Sequence, residues 1–273
     1  MRSSEKGCMV RHGQKEGAIR MNCRTWITTV LLVLLGLVAT PVGALAVMFT
    51  YSSGSLSASV TFEQSGSNLL VTLTNNSTAD VLAPTDVLTA VFFTLPDDPM
   101  LTTISAVVPT GSDVLFGGTD SGGVVGGEWA YKNNLVGAPF GADGGISSAG
   151  LGLFGPGDLF PPMVNLQGPL SPGGLQYGIT SAGDNPDTGN SAVTGGFALI
   201  KNSVVFTLSG LAPAYLKEET ITNVSFQYGT SLTDPNVRVP EPGTLVLLGS
   251  GLAGIAALGW RSRSRTKGHC GDH

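Results

Sequence analysis

The chain has 273 residues, of which only 12% are charged, and it contains 39 glycines and 16 prolines. Residues 47–240 carry fifteen Asp or Glu against four basic side chains (Lys132, Lys201, Lys217 and Arg238), a net charge near −11. A body this acidic argues against nucleic acid as a partner, because phosphate backbones are held by Lys and Arg.

Residues 1–20 are polar and charged, unlike the opening of a domain, and are expected to be a mis-called or non-native extension. Met21 is the expected start, since Met21-Asn22-Cys23-Arg24 gives a short positive region ahead of the apolar run Trp26–Ala39. Pro41 and Gly43 break that run, and Ala44 and Ala46 are small residues at −3 and −1 of a signal peptidase site. Residues 21–46 therefore read as a secretory signal peptide cleaved after Ala46. A permanent membrane helix is the bland alternative, but an apolar core of about 14 residues is short for a span.

The expected exported domain is 47–229. Leu56, Ala58, Val60 and Phe62 alternate with polar neighbours across Ser55–Glu63, the period of a half-buried strand. Gln64–Asn68 supplies a turn and Leu69–Thr74 returns, predicting a hairpin. Asp86–Leu95, Leu101–Val108, Gly196–Leu208 and Thr220–Tyr228 are further predicted strands, with a single helical turn over Ala212–Glu219. Between Gly111 and Gly196, 30 of 86 residues are Gly or Pro, yet Phe116, Trp129, Tyr131, Phe140, Phe154, Phe160 and Tyr177 interrupt them. Disordered segments are poor in aromatics, so this region predicts ordered loops and short strands on tight glycine turns. Short strands without helical units predict an all-β protein, an antiparallel, jelly-roll-like β-sandwich with long Gly-rich loops. A signal helix precedes it and a transmembrane helix follows. Residues 230–238 read as a polar linker.

Residues 239–265 fall into three parts. Pro240-Glu241-Pro242 stops any helix from running back into the domain. Gly243–Trp260 is uncharged, and as a helix its 18 residues would be roughly 27 Å long, close to a bilayer's hydrocarbon thickness. Arg261, Arg263, Arg265 and Lys267 follow directly, so that end and the polar tail 266–273 belong in the cytoplasm and the body outside. Span and charges alone would describe an ordinary membrane anchor. With the Pro-Glu-Pro motif, Val239–Arg265 closely resembles the PEP-CTERM sorting signal of Gram-negative bacteria. That resemblance implies processing by exosortase near Pro240–Pro242, a transient inner-membrane stage, and delivery to the cell surface or extracellular matrix. It also implies a link to exopolysaccharide and biofilm formation. Ile146–Asp158, rich in Gly and Ser around Leu151-Gly152-Leu153-Phe154, is similar to a recurring motif of exosortase-dependent surface proteins.

Gly249, Ala253 and Ala257 form a small-residue stripe along the span that permits helix docking, although such residues are common in membrane helices. The cysteines are Cys8, Cys23 and Cys270 and the histidines His12, His269 and His273, so residues 47–240 hold neither type. That leaves the body without internal disulfides, without Ser–His or Cys–His hydrolysis and without a His/Cys zinc site. Cys270 with the two terminal histidines sits at an end expected to be discarded. A glycosidase needs two facing carboxylates, and Asp97, Asp98, Asp113, Asp120, Glu128, Asp143 and Asp158 supply acids in loops. No cofactor is expected, with calcium the candidate at Asp184, Asn185, Asp187 and Asn190, whose hard oxygens surround a glycine. The same residues also make an ordinary Asx-rich turn.

Two functions follow. The first is a non-enzymatic structural or adhesive surface protein, processed by signal peptidase and exosortase and associated with extracellular polysaccharide. The second is a secreted carbohydrate-binding module or glycosidase, in which Trp129, Tyr131 and Tyr177 would stack on sugars beside paired acids.

Overall fold

The computed structural model describes residues 46–119, 121–154, 174–216 and 221–240. The signal stretch up to Leu45, Glu241 and Pro242 of the motif, the span 243–260 and the basic cluster after it lie outside these residues. Among the described residues no helix is long and apolar enough to cross a membrane.

Thirteen strands form the described body: β1 (Ala46–Ser53), β2 (Leu56–Ser65), β3 (Asn68–Asn75), β4 (Leu88–Thr94), β5 (Thr102–Val107), β6 (Asp113–Leu115), β7 (Ala130–Lys132), β8 (Gly144–Ser147), β9 (Ile179–Thr180), β10 (Leu199–Lys201), β11 (Ser203–Ser209), β12 (Thr222–Tyr228) and β13 (Asn236–Arg238). One sheet runs β1-β2-β3-β11-β5, and the other β13-β12-β4-β9-β10-β6 with β8 and β7 added beside β4. The predicted hairpin is β2–β3, paired from Ala58–Asn75 to Ser65–Asn68, and Gly66 turns it at a φ of 63° that a residue with a Cβ adopts only with strain.

The two sheets face each other across one core, the arrangement of a sandwich. Phe62 of β2 meets Phe93 of β4 edge-on at 5.1 Å, and Trp129 packs on Phe206 of β11 at 4.9 Å. Burying side chains of this size contributes about 1.5–3 kcal/mol each, so the interface between sheets holds the fold. β4 is buried on both faces: Val91 and Phe93 join the central core, while Ala90 and Phe92 join a second cluster with Leu135, Ala149, Leu151 and Phe154. The Gly-rich 135–154 segment is therefore the cover of the outer face. Close glycines allow that cover to lie flat. A Cβ on Gly145 would come within 2.9 Å of Phe92 and 3.2 Å of Phe154.

Five expectations need correction. β1 was not anticipated: Val47 and Phe49 are core residues, and the strand runs from Ala46, paired with Glu63, to Ser53. Gly196–Leu208 is two strands, because the chain changes sheets at Asn202, whose φ is 86°. The sandwich is not wholly antiparallel, since β9 and β10 run parallel. Residues 230–238 are no tether but a turn and β13, and the described part of 212–219 is a turn rather than helix.

Candidate functional site

The end of the body that leads into Pro240 is built as a tight hairpin. Gly229 leaves β12 at a φ of 74°, and a Cβ there would lie 2.4 Å from Asp234 Oδ2. That oxygen accepts the backbone N–H groups of Thr230 (2.9 Å) and Ser231 (3.0 Å), so the aspartate closes the turn from inside. Gln227, fully buried, donates from Nε2 to the Ser231 carbonyl at 2.9 Å, and its Oε1 accepts from Asn236 Nδ2 at 2.8 Å. β13 then pairs with β12 at Asn236–Gln227, Val237–Phe226 and Arg238–Ser225. The Arg238 guanidinium lies 5.8 Å from the centre of the Phe140 ring. Val239 is 5% exposed, belongs to the central core, and donates its N–H to the Val224 carbonyl at 2.9 Å. Pro240 is exposed, and Glu241 and Pro242 lie outside the described residues.

The calcium candidates meet in one loop but spend their oxygens on it. Asn185 Oδ1 accepts the Asp187 N–H, Asn190 Oδ1 accepts the Ala192 N–H, and the Asp187 side chain is exposed. Asp184 Oδ1 accepts the Val81 N–H at 3.3 Å, while its Oδ2 is buried without a hydrogen bond. Burial, with the nearby Asp80 charge as a lesser cause, raises the Asp184 pKa. The Thr180 hydroxyl offsets part of that rise, although the contact falls short of full hydrogen-bond geometry. Asp80 completes the arrangement: it accepts the Thr188 hydroxyl and the Asn185 N–H, and these contacts lower its pKa. Together they clasp the loop after β3 to the loop after β9. Asp80 was missed because it lies about a hundred residues upstream of its partners.

Of the loop acids, Asp98 and Asp143 line one depression together with Tyr131. The sugar-stacking candidates are placed otherwise. Trp129 is fully buried against Phe206, Tyr131 is 7% exposed, and the Tyr177 hydroxyl donates to the Gly118 carbonyl at 2.8 Å. Among the described residues the exposed aromatics are Phe116, Phe140 and Phe197.

Residues 238–264 match the PEP-CTERM protein-sorting motif. The chain carries a PEP-CTERM sorting signal. No curated protein and no solved structure matches the chain. The PEP-CTERM match begins at Arg238, the last residue of β13, so the sorting signal and the folded body overlap in the chain. Such a signal marks an exported protein that is sorted by exosortase through a transient membrane-held stage. The PEP-CTERM motif therefore starts with no slack between the sheet and the first proline.

Proposed function

We propose that this is a non-enzymatic structural or adhesive protein of the cell surface or extracellular matrix. Signal peptidase releases residues 21–46, the apolar helix 243–260 holds the folded body at the inner membrane, and exosortase acts at Pro240–Pro242. The mature β body then associates with extracellular polysaccharide. The observation that carries this reading is the junction itself: a packed, disulfide-free β body continues to Val239 and meets the matched signal there.

The carbohydrate-module alternative is less well supported. Its aromatics Trp129 and Tyr131 serve the core, and the depression between Asp98 and Asp143 holds about one water-sized occupant rather than a sugar ring. Fractionation of cells making the wild-type chain and a variant with Pro240, Glu241 and Pro242 replaced by Ala tests the reading. Wild-type body is expected outside the inner membrane and the variant held in it. Equal distribution of the two would overturn it.

A further inference from the structure

Register sets the two ends of the sandwich. Phe62 of β2 meets Phe93 of β4 across the core, so the Glu63 end of β2 and the Thr94 end of β4 lie together. The Tyr215 hydroxyl donates to the Pro96 carbonyl and Gln64 Nε2 to the Ala212 carbonyl at 2.6 Å, which ties the sheets there. Thr222 pairs with Thr94 and the Val239 N–H donates to the Val224 carbonyl, so the chain leaves toward Pro240 at this end. Ala46, after which signal peptidase is expected to cut, pairs with Glu63 and opens β1 at the same end. Both stretches that the sequence marks for the membrane therefore join the body at one end.

Two loops cap that end. Residues 95–101 turn β4 into β5, and residues 133–143 turn β7 into β8, where Gly144 pairs with Phe93 and Lys132 with Gly145. They carry Met100 and Val136, the two most exposed large apolar side chains of the described residues, at 88% and 91%. Phe140, also exposed, has its ring centre 5.8 Å from the Arg238 guanidinium carbon, beside the exit. The base of the second loop is packed: Leu135, Ala138 and Ala142 are buried, and the Leu135 N–H donates to the Asp143 carbonyl at 2.8 Å. Exposed apolar side chains gathered in one place mark a contact surface.

Chain length says what covers it. Four peptide steps separate Val239 from Gly243, where the apolar stretch begins, and they reach no more than about 14 Å. The headgroup layer of one leaflet is about 5–8 Å deep, so this tether holds the exit end within about 10 Å of the headgroup surface. Asp97 and Asp98 are exposed at the same end, so the attraction is apolar and does not call for anionic lipid. Resting on the reading of 243–260 as a membrane span, we infer that Met100, Val136 and Phe140 form a lipid-contacting face. It seats the body on the outer surface of the inner membrane while the sorting signal is attached. The span supplies nearness, and the three side chains set orientation by entering the boundary between headgroups and acyl chains.

The test uses the full-length protein in phosphatidylcholine liposomes with nitroxide-labelled acyl chains and no other protein present. Replacing Cys8, Cys23 and Cys270 by Ser leaves a background for one new cysteine carrying an environment-sensitive fluorophore. At Val136→Cys the label should be blue-shifted and quenched by the lipid nitroxide. At Leu232→Cys, exposed in the turn at the opposite end where Tyr228 pairs with Leu88, it should be neither. Met100→Ser with Phe140→Ser should remove most of the quenching at 136, and M100S alone should lower it if the loop does not tolerate F140S. A third label, at Leu252→Cys, reads the span itself. Three results overturn the proposal while the proposed function stands: quenching at 252 without quenching at 136, equal quenching at 136 and 232, or quenching at 136 that the serine variants leave unchanged. No quenching at 252 overturns both.

Discussion

The Val239 N–H donates to the Val224 carbonyl at 2.9 Å, and the next residue is the first proline of the sorting motif. The last hydrogen bond of the sheet and the start of the membrane signal are thus one peptide apart. The described body thus runs as an edge strand up to the residue before Pro240. Replacing Val239 by Asp would put an unpaired charge where the side chain is 5% exposed. A loss of about 2–4 kcal/mol in urea unfolding is expected, with faster amide exchange along β13.

The turn before β13 depends on one glycine and one carboxylate. Gly229→Ala places a Cβ 2.4 Å from Asp234 Oδ2 on a backbone with φ of 74°. Asp234→Ala leaves the Thr230 and Ser231 N–H groups without their acceptor. Each change should lower stability by about 1–2 kcal/mol in chemical denaturation. The double variant should cost less than the sum, because both act on the same contact.

The pKa values of Asp184 and Asp80 are shifted in opposite directions. The folded-state pKa of Asp184 is raised above its ordinary 3.8, so the native state binds its proton more tightly. Stability associated with it is present below about that pH and is lost as pH rises through the raised value. Asp80 is lowered, so its contribution is present above 3.8 and is lost as pH falls through its folded value. Melting temperature measured against pH should therefore fall on both sides of this region. In Asp184→Asn the loss on the alkaline side should disappear while the acid limb remains.

Trp129 packs in the core with its ring centre 4.9 Å from that of Phe206, the two planes inclined at 59°, and its Nε1 is buried without an acceptor. Trp129→Ala should cost about 3–5 kcal/mol, as deletion of a large core aromatic does. Trp129→Phe removes an unsatisfied N–H along with some volume and should cost well under half as much, measured by guanidinium unfolding. Unchanged stability in Trp129→Ala would place this ring outside the core.

Much of the fold was legible because it rests on local pattern. Leu56, Ala58, Val60 and Phe62 alternate cleanly, and Gly66 marks the turn of their hairpin. β1 has the same alternation in Val47, Phe49 and Tyr51, but it starts at the residue that also completes the signal peptidase pattern. Two signals shared Ala46, and the processing signal masked the strand. β13 is three residues long and none is fully buried; its identity comes from pairing with β12 and from Val239 beyond it. The sheet change at Asn202 is likewise decided by partners, as the Asn75 N–H donates to its carbonyl at 3.0 Å. The sorting motif was legible outright, being contiguous and compositional. The depression was not, because Asp98, Tyr131, Asn133 and Asp143 meet only after β4, β7 and β8 have paired.

In the proposed reading the body is cut free where its sheet ends. The intact mass of the mature protein, recovered from cells with and without exosortase, tests it most directly. With the enzyme, the chain should end at or within Pro240–Pro242, or carry an added group there, and without it the span and basic tail should remain attached. An identical, full C-terminus in both would contradict the account and leave residues 243–260 as a permanent anchor.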